Sequence, residues 1–136
     1  MKALLDTGPW VALMDRSESL HAQTVSWFQA YRGSLYSTEA VLTEVLYLLN
    51  FSCNAQASAM DFILKSIVSL VPANTESIKI TKRLMLKYAD LPMDYADATL
   101  VALAMETGIN QIATFDTTDF SIYRSGRNKS FRLLLS

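Results

Sequence analysis

The sequence predicts an α/β fold built on a parallel sheet, and three observations carry that expectation. Short runs rich in apolar residues, at 2–5, 34–37, 112–113 and 133–135, alternate with longer stretches of helical spacing. The apolar run at 112–113, just after the Gly108 stop, reads as a short buried strand. Acids follow two of these runs, Asp6 directly after the first and Asp116 in the loop just beyond the third. The crevice outside the carboxyl ends of parallel strands is where open α/β sheets bind ligands.

A chain of 136 residues, 51% of them hydrophobic, suits a single domain spanning 1–136 with a proper core. Its net charge of −1 gives no overall field that would draw in nucleic acid or an anionic membrane, so any basic footprint must be local. The single cysteine, Cys53, excludes an internal disulfide and a multi-cysteine zinc site, and agrees with a reducing compartment. Asp6 interrupts the N-terminus, and no apolar run reaches the roughly 18 residues of a membrane span. The expectation is a soluble cytoplasmic protein with no signal peptide and no membrane contact.

Taken in order, residues 2–5 form a strand, and Thr7-Gly8-Pro9 turns the chain into a helix, proline being favoured in a first turn. Residues 15–32 suit an amphipathic helix after a polar loop, closed by Gly33, and 34–37 form a second strand. Thr38 and Glu39 open a helix in which Val41, Leu42, Val45, Leu46, Leu48 and Leu49 cover most of the circumference. Glu44 is therefore expected among buried side chains, where a lone carboxylate is costly unless paired or bound to a metal. Residues 52–56 read as a polar break, 57–70 as a helix, and Val71-Pro72 as a short edge strand. A cationic helix follows over 75–87, with Lys79, Lys82, Arg83 and Lys87 on one face.

The stretch 91–120 organises the rest. Asp94 and Asp97 open a helix whose body, with Leu100, Val101, Leu103 and Ala104, is buried, and Gly108 stops it. Asp116 and Asp119 lie in the loop beyond the next strand. A basic tail with Arg124, Arg127, Lys129 and Arg132 leads into the last strand at 133–135.

These placements suggest that Asp6, Glu44, Asp97 and Asp116 converge on a divalent metal. Clustered carboxylates repel by roughly 4 kcal/mol per pair at 4 Å and an effective dielectric near 20, so such a group takes up protons or a cation. Oxygen donors without a histidine or cysteine cluster favour Mg²⁺ or Mn²⁺ over Zn²⁺. The alternative is that each acid acts alone: Asp94 capping a helix, Asp119 capping a turn, Asp6 holding the Thr7-Gly8 backbone. Asp94 and Asp119 fit those structural roles. Thr7, Thr114 and Thr118 are candidates to orient ligands, and sequence does not choose among them.

His21 is the only histidine, which excludes a ribonuclease working with a histidine acid and a histidine base. Asp6-Thr7-Gly8 is the tripeptide of aspartic proteases, but that chemistry needs two copies in a β-rich chain. The eight cations are either a solvated surface or a track for a nucleic-acid backbone. Tyr88, Tyr95, Phe115 and Tyr123 are either core and rim aromatics or platforms for bases.

With LLDTGPWVAL at the start, the internal acid of VLTEVLYLL, DYADATLVALA, and ATFDTTDF near the end, the chain resembles the PIN-domain family. Within that family it is most similar to the small VapC-type toxin ribonucleases. The resemblance covers nearly the whole length. It implies an α/β/α sandwich around a parallel sheet, with Asp6, Glu44, Asp97 and Asp116 matching the acidic quartet and Asp94 and Asp119 matching less closely. It further implies a Mg²⁺- or Mn²⁺-dependent endoribonuclease with an RNA substrate, a small antitoxin as partner, and pairing of identical chains into a homodimer. A PIN-fold module that binds or regulates without hydrolysis is the alternative.

Overall fold

In the computed structural model, which describes residues 1–135, five strands form one sheet in the order β3-β2-β1-β4-β5, every neighbouring pair parallel. The strands are β1 (Lys2–Leu5), β2 (Ser34–Ser37), β3 (Val68–Leu70), β4 (Gln111–Ala113) and β5 (Arg132–Leu134). Between them run α1 (Thr7–Met14), α2 (His21–Ala30), α3 (Glu39–Leu48), α4 (Cys53–Leu64), α5 (Thr75–Lys87), α6 (Tyr95–Thr107) and α7 (Thr117–Ile122). From β1 the chain steps outward through β2 to β3, then returns to the other side of β1 to place β4. The strand order therefore reverses between β1 and β4, and right-handed crossovers put α1 to α4 on one face and α5 and α6 on the other. Such a switch point is where an open sheet offers its ligand crevice.

The core agrees with the sandwich. Leu4, Leu5, Ile112 and Ala113 are fully buried, as expected for central parallel strands covered on both faces. Trp10 of α1, Val41 and Val45 of α3, and Leu100, Val101 and Ala104 of α6 close over them. Gly108 ends α6 in the left-handed conformation, φ 79°, its N–H returning to the Ala104 carbonyl at 2.8 Å. At the start of β2, an added Cβ on Gly33 would lie 2.5 Å from the Met1 carbonyl oxygen, which already accepts the Ser34 N–H. Gly33→Ala is expected to destabilise the fold by about 1–3 kcal/mol, read as a lower urea midpoint at unchanged m-value.

Three expectations need correction. The polar break at 52–56 is only its first residue: Ser52 accepts the Ala55 N–H at 3.1 Å as the N-cap of α4, which runs to Leu64. The helix expected over 57–70 thus begins earlier and ends earlier. A turn at Ser66, φ 61°, then releases Val68–Leu70 as the edge strand, ahead of the Val71-Pro72 pair expected to form it. Val71 supplies the last ladder bond, to the Ser37 carbonyl, and Pro72 has no N–H to continue. Second, α3 is not buried all round. Tyr47 and Leu48 are 70% and 48% exposed, so Glu44 is half-buried rather than enclosed. Third, Asp116 and Asp119 do not sit in an open loop but at the N-cap and in the first turn of α7. The last strand is displaced by one residue from 133–135.

Candidate metal centre

Asp6 leaves β1 with extended backbone and caps α1. One carboxylate oxygen, Oδ1, accepts the Thr7 N–H, and the other, Oδ2, accepts the Thr114 hydroxyl, each at 2.8 Å. Burial is the main reason its pKa is pushed up to about 6. The two hydrogen bonds oppose that rise, and the charges of Glu44 and Asp116 add to it. Across the switch point, Thr114 follows β4 fully buried, and its hydroxyl also accepts the Asp116 N–H at 2.9 Å. One side chain thus fixes Asp6 and Asp116 relative to each other. Of the three threonines the sequence could not rank, Thr114 takes this role. Thr7 contributes its backbone N–H, its own buried hydroxyl having no partner, and Thr118 is exposed. Thr114→Val is expected to leave a buried carboxylate oxygen and an N–H without partners, lowering stability by about 1–3 kcal/mol in urea denaturation.

Two matching turns bring in the remaining acids. Asp94 caps α6 by accepting the Asp97 N–H at 2.8 Å, and Asp116 caps α7 by accepting the Asp119 N–H at 3.0 Å. The capping expected of Asp94 is observed. Asp94 is itself exposed, while Asp97, a turn further in, is half-buried. Asp97, Asp116 and Asp119 each offer a carboxylate oxygen, and these oxygens all lie within 4.8 Å of one another. The Asp97 pKa is pushed up to about 8, first by burial and then by the charges of Asp6, Asp94, Asp116 and Glu44. Asp119 is shifted upward as well, by burial and by Asp116 beside it.

The charges of Glu44 and Asp116 therefore reach both Asp6 and Asp97, but the tightest group is not the quartet singled out from the sequence. Asp119 joins Asp97 and Asp116 in it, whereas Asp6 and Glu44 both lie outside the three closely grouped acids and act through their charges, Glu44 on Asp6 and Asp97, and Asp6 on Asp97. The missed signal was the spacing: an N-cap and the residue three further on lie on the same side of a helix start, so a second Asp-x-x-Asp pair could be placed like the first. No cation offsets these charges. The one ion pair among the described residues, Lys79 with Glu76, lies on α5. An oxygen-only donor set with uncompensated repulsion fits a hard divalent cation.

Tyr123 takes the core alternative left open for the aromatics. It is fully buried, edge-on to Tyr88 and Phe120 at 5.0 and 5.1 Å between ring centroids, and its hydroxyl donates to Asp97 Oδ2 at 3.4 Å. It supports an acid and has no face for a base. Phe115 packs on Gly8, whose added Cβ would come within 2.9 Å of its ring. Tyr95, 46% exposed, keeps an open ring. His21 is structural as expected, its Nδ1 lying 2.7 Å from the Ala12 carbonyl oxygen. Among the described residues, no helix is long and apolar enough to cross a membrane.

Comparison with solved structures returns the same architecture. The toxin VapC20 of Mycobacterium tuberculosis, described as cleaving the sarcin-ricin loop, superposes with a TM-score of 0.79 at 21% identity, over 85% of this chain and 91% of that one. VapBC2 of Rickettsia felis, bound to a DNA fragment from its promoter, gives 0.68 at 13% identity, over 98% and 99%. A toxin–antitoxin complex from Klebsiella pneumoniae gives 0.68 at 18% identity, over 90% and 93%. No curated protein matches the sequence significantly. The family model of the PIN domain matches residues 3–124. Since that match runs from inside β1 to beyond α7, the chain belongs to the PIN domain family.

Proposed function

We propose that residues 1–136 form one nuclease domain that hydrolyses RNA with a divalent cation, and that the protein is the toxin of a toxin–antitoxin pair. The observation that carries the reading is the convergence of Asp97, Asp116 and Asp119 at the switch point, backed by Asp6 and Glu44, in a PIN-family chain. Asp6, Glu44, Asp97 and Asp116 are the proposed metal-binding and catalytic residues, with Asp119 added to them. Mg²⁺ or Mn²⁺ is the proposed cofactor, on the strength of the oxygen-only donor set. Such an ion contributes Lewis acidity, activating a water and neutralising charge on the phosphoryl oxygens.

The chain's own part is placement. Thr114 fixes Asp6 against Asp116, the Asp94 cap holds the turn that carries Asp97, and Tyr123 restrains one Asp97 oxygen. Hydrolysis by water leaves the 2′-hydroxyl idle, so the products carry a 5′-phosphate and a 3′-hydroxyl. The toxin role rests on the neighbours named as toxins and toxin–antitoxin complexes. A small antitoxin and a second copy of the chain are the proposed protein partners, in a cytoplasmic setting. Exposed Tyr47, Phe51 and Leu64 on the α3–α4 side and Ile78 and Leu86 on α5 are surfaces that such partners cover.

The test is cleavage of mixed cellular RNA by purified protein with Mg²⁺, with Mn²⁺ and with EDTA, followed by analysis of the new ends. Cleavage restricted to the metal arms with 5′-phosphate products is expected. Early 2′,3′-cyclic phosphates would sink the mechanism.

A further inference from the structure

Beside the acids, a cleft of about 280 Å³ opens between α3, α5 and α6. Thr38 stands just past β2, and Val71 and Pro72 just past β3, so the cleft opens at the same edge of the sheet as the metal centre. Helix α6 separates the two. Its stripe of Tyr95, Thr99, Ala102, Leu103 and Glu106 lines the cleft, while Asp97 lies about 200° around the helix from both Tyr95 and Thr99. A strand whose phosphate rests on the acids would reach the cleft by crossing the first turn of α6, a helix diameter of roughly 10–12 Å.

The lining has a definite polarity. Thr43, Ser77, Thr81 and Thr99 each donate their hydroxyl proton to a backbone carbonyl, of Glu39, Asn74, Ser77 and Ala96 respectively. A hydroxyl has one proton, so what these groups turn towards a ligand is lone pairs. Thr38 must then be the donor in its 2.8 Å bond with Thr99. Exposed Glu39 and Glu106 add carboxylate acceptors, and no Lys or Arg lines the cleft. The opposing donors are the first-turn N–H groups of Glu39 and Ala40, left without an intrahelical acceptor while Val41 and Leu42 bond to Thr38. Tyr95 offers an open aromatic face at the mouth.

We infer that this cleft receives one unstacked base of an RNA strand that crosses α6 from the acids, and that the base it selects is guanine. The inference rests on the ribonuclease reading for its setting. A phosphate is excluded by the carboxylates and the absence of a cation. Guanine's Watson–Crick edge presents two adjacent N–H donors, N1 and N2, to a carboxylate and one acceptor, O6, to a backbone N–H. A guanidinium from a protein would satisfy the carboxylates but has no acceptor for the α3 amides. The volume, at the small end of ligand pockets, suits one heterocycle lying on Tyr95 and the apolar floor of Val71, Ala102 and Leu103.

The test is a titration of the ¹⁵N-labelled protein in EDTA with GMP, IMP, AMP, CMP, UMP and N-acetyl-arginine amide, following the backbone amides of the cleft. GMP is expected to shift the amides of Ala40, Thr43 and Thr99 saturably. IMP, which lacks the N2 amine, is expected to bind roughly tenfold more weakly. Glu39→Gln and Glu106→Gln, tested separately, should identify which carboxylate meets the N1 and N2 donors, one of them reproducing that loss with GMP. Tyr95→Leu should weaken all bases together. No saturable shift with GMP, equal binding of AMP or UMP, or binding of the arginine amide in place of GMP would overturn the assignment. Because the titration involves neither metal nor cleavage, its failure leaves the nuclease reading intact, and failure of the cleavage assay leaves a guanine-specific cleft standing.

Discussion

Asp97→Asn is expected to lower metal-dependent RNA cleavage by roughly 10²–10³-fold or more while leaving the protein at least as stable as before. The side chain keeps its shape, and the Asp97 N–H that holds the first turn of α6 against the Asp94 cap is untouched. What disappears is a negative charge that burial and four neighbouring carboxylates disfavour. A residue that costs stability where it stands matches the trade between function and stability expected at an active site. Cleavage by wild type and variant, read beside thermal melts in EDTA, gives two independent outcomes. Cleavage lost with the melting temperature held or raised places Asp97 in the chemistry. Undiminished cleavage removes it from the site. Cleavage by neither protein is the behaviour of the non-hydrolytic module.

Most of the architecture was legible because central parallel strands and helix boundaries leave strong local marks. Apolar β1 and β4, the Asp94 cap and the Gly108 stop are all short-range signals, and each appears where it was expected, whereas α1 begins at Thr7, inside the Thr7-Gly8-Pro9 segment expected to turn, with Asp6 as its cap. The failures share a cause. Between residues 52 and 72 an edge strand with exposed Ser69 follows a helix whose apolar pattern runs into it, so periodicity alone merges the two. Burial of Glu44 was overstated because Tyr47 and Leu48 are apolar yet exposed, and an exposed apolar surface reads like core in sequence. At the site, the individual acids were legible, but their mutual support was not. The Thr114–Asp6 bond joins residues 108 apart in sequence, and Tyr123 reaches Asp97 across 26. Asp119 entered the cluster only through the geometry of a cap, a feature that its spacing encodes and that a loop reading of that segment conceals.

Without metal, the stability of the protein is expected to fall as pH rises from about 4 towards 8, and saturating Mg²⁺ or Mn²⁺ to counter that fall. The sign follows from Asp6 and Asp97. Both pKa values rise on folding, from 3.8 to about 6 and about 8, so at intermediate pH the folded chain holds more protons than the unfolded one. Stability then decreases with pH. The contribution is fully present below the unfolded value, and it is lost through about pH 6 for Asp6 and about pH 8 for Asp97. Melts in EDTA across this range should show the decline, and Asp97→Asn should flatten its upper part, isolating that residue from every other titrating group. A divalent ion binds carboxylates only after they lose their protons, so its stabilising effect should be larger near pH 8 than near pH 5, with protons released on binding. A melting temperature in EDTA that stays level over this interval, or a metal effect that is the same at both ends of it, would mean that Asp6 and Asp97 are not held together as uncompensated acids. The same repulsion that weakens the metal-free fold is what a cation bound at the proposed site would relieve, so metal-dependent stabilisation and loss of the pH decline are expected together.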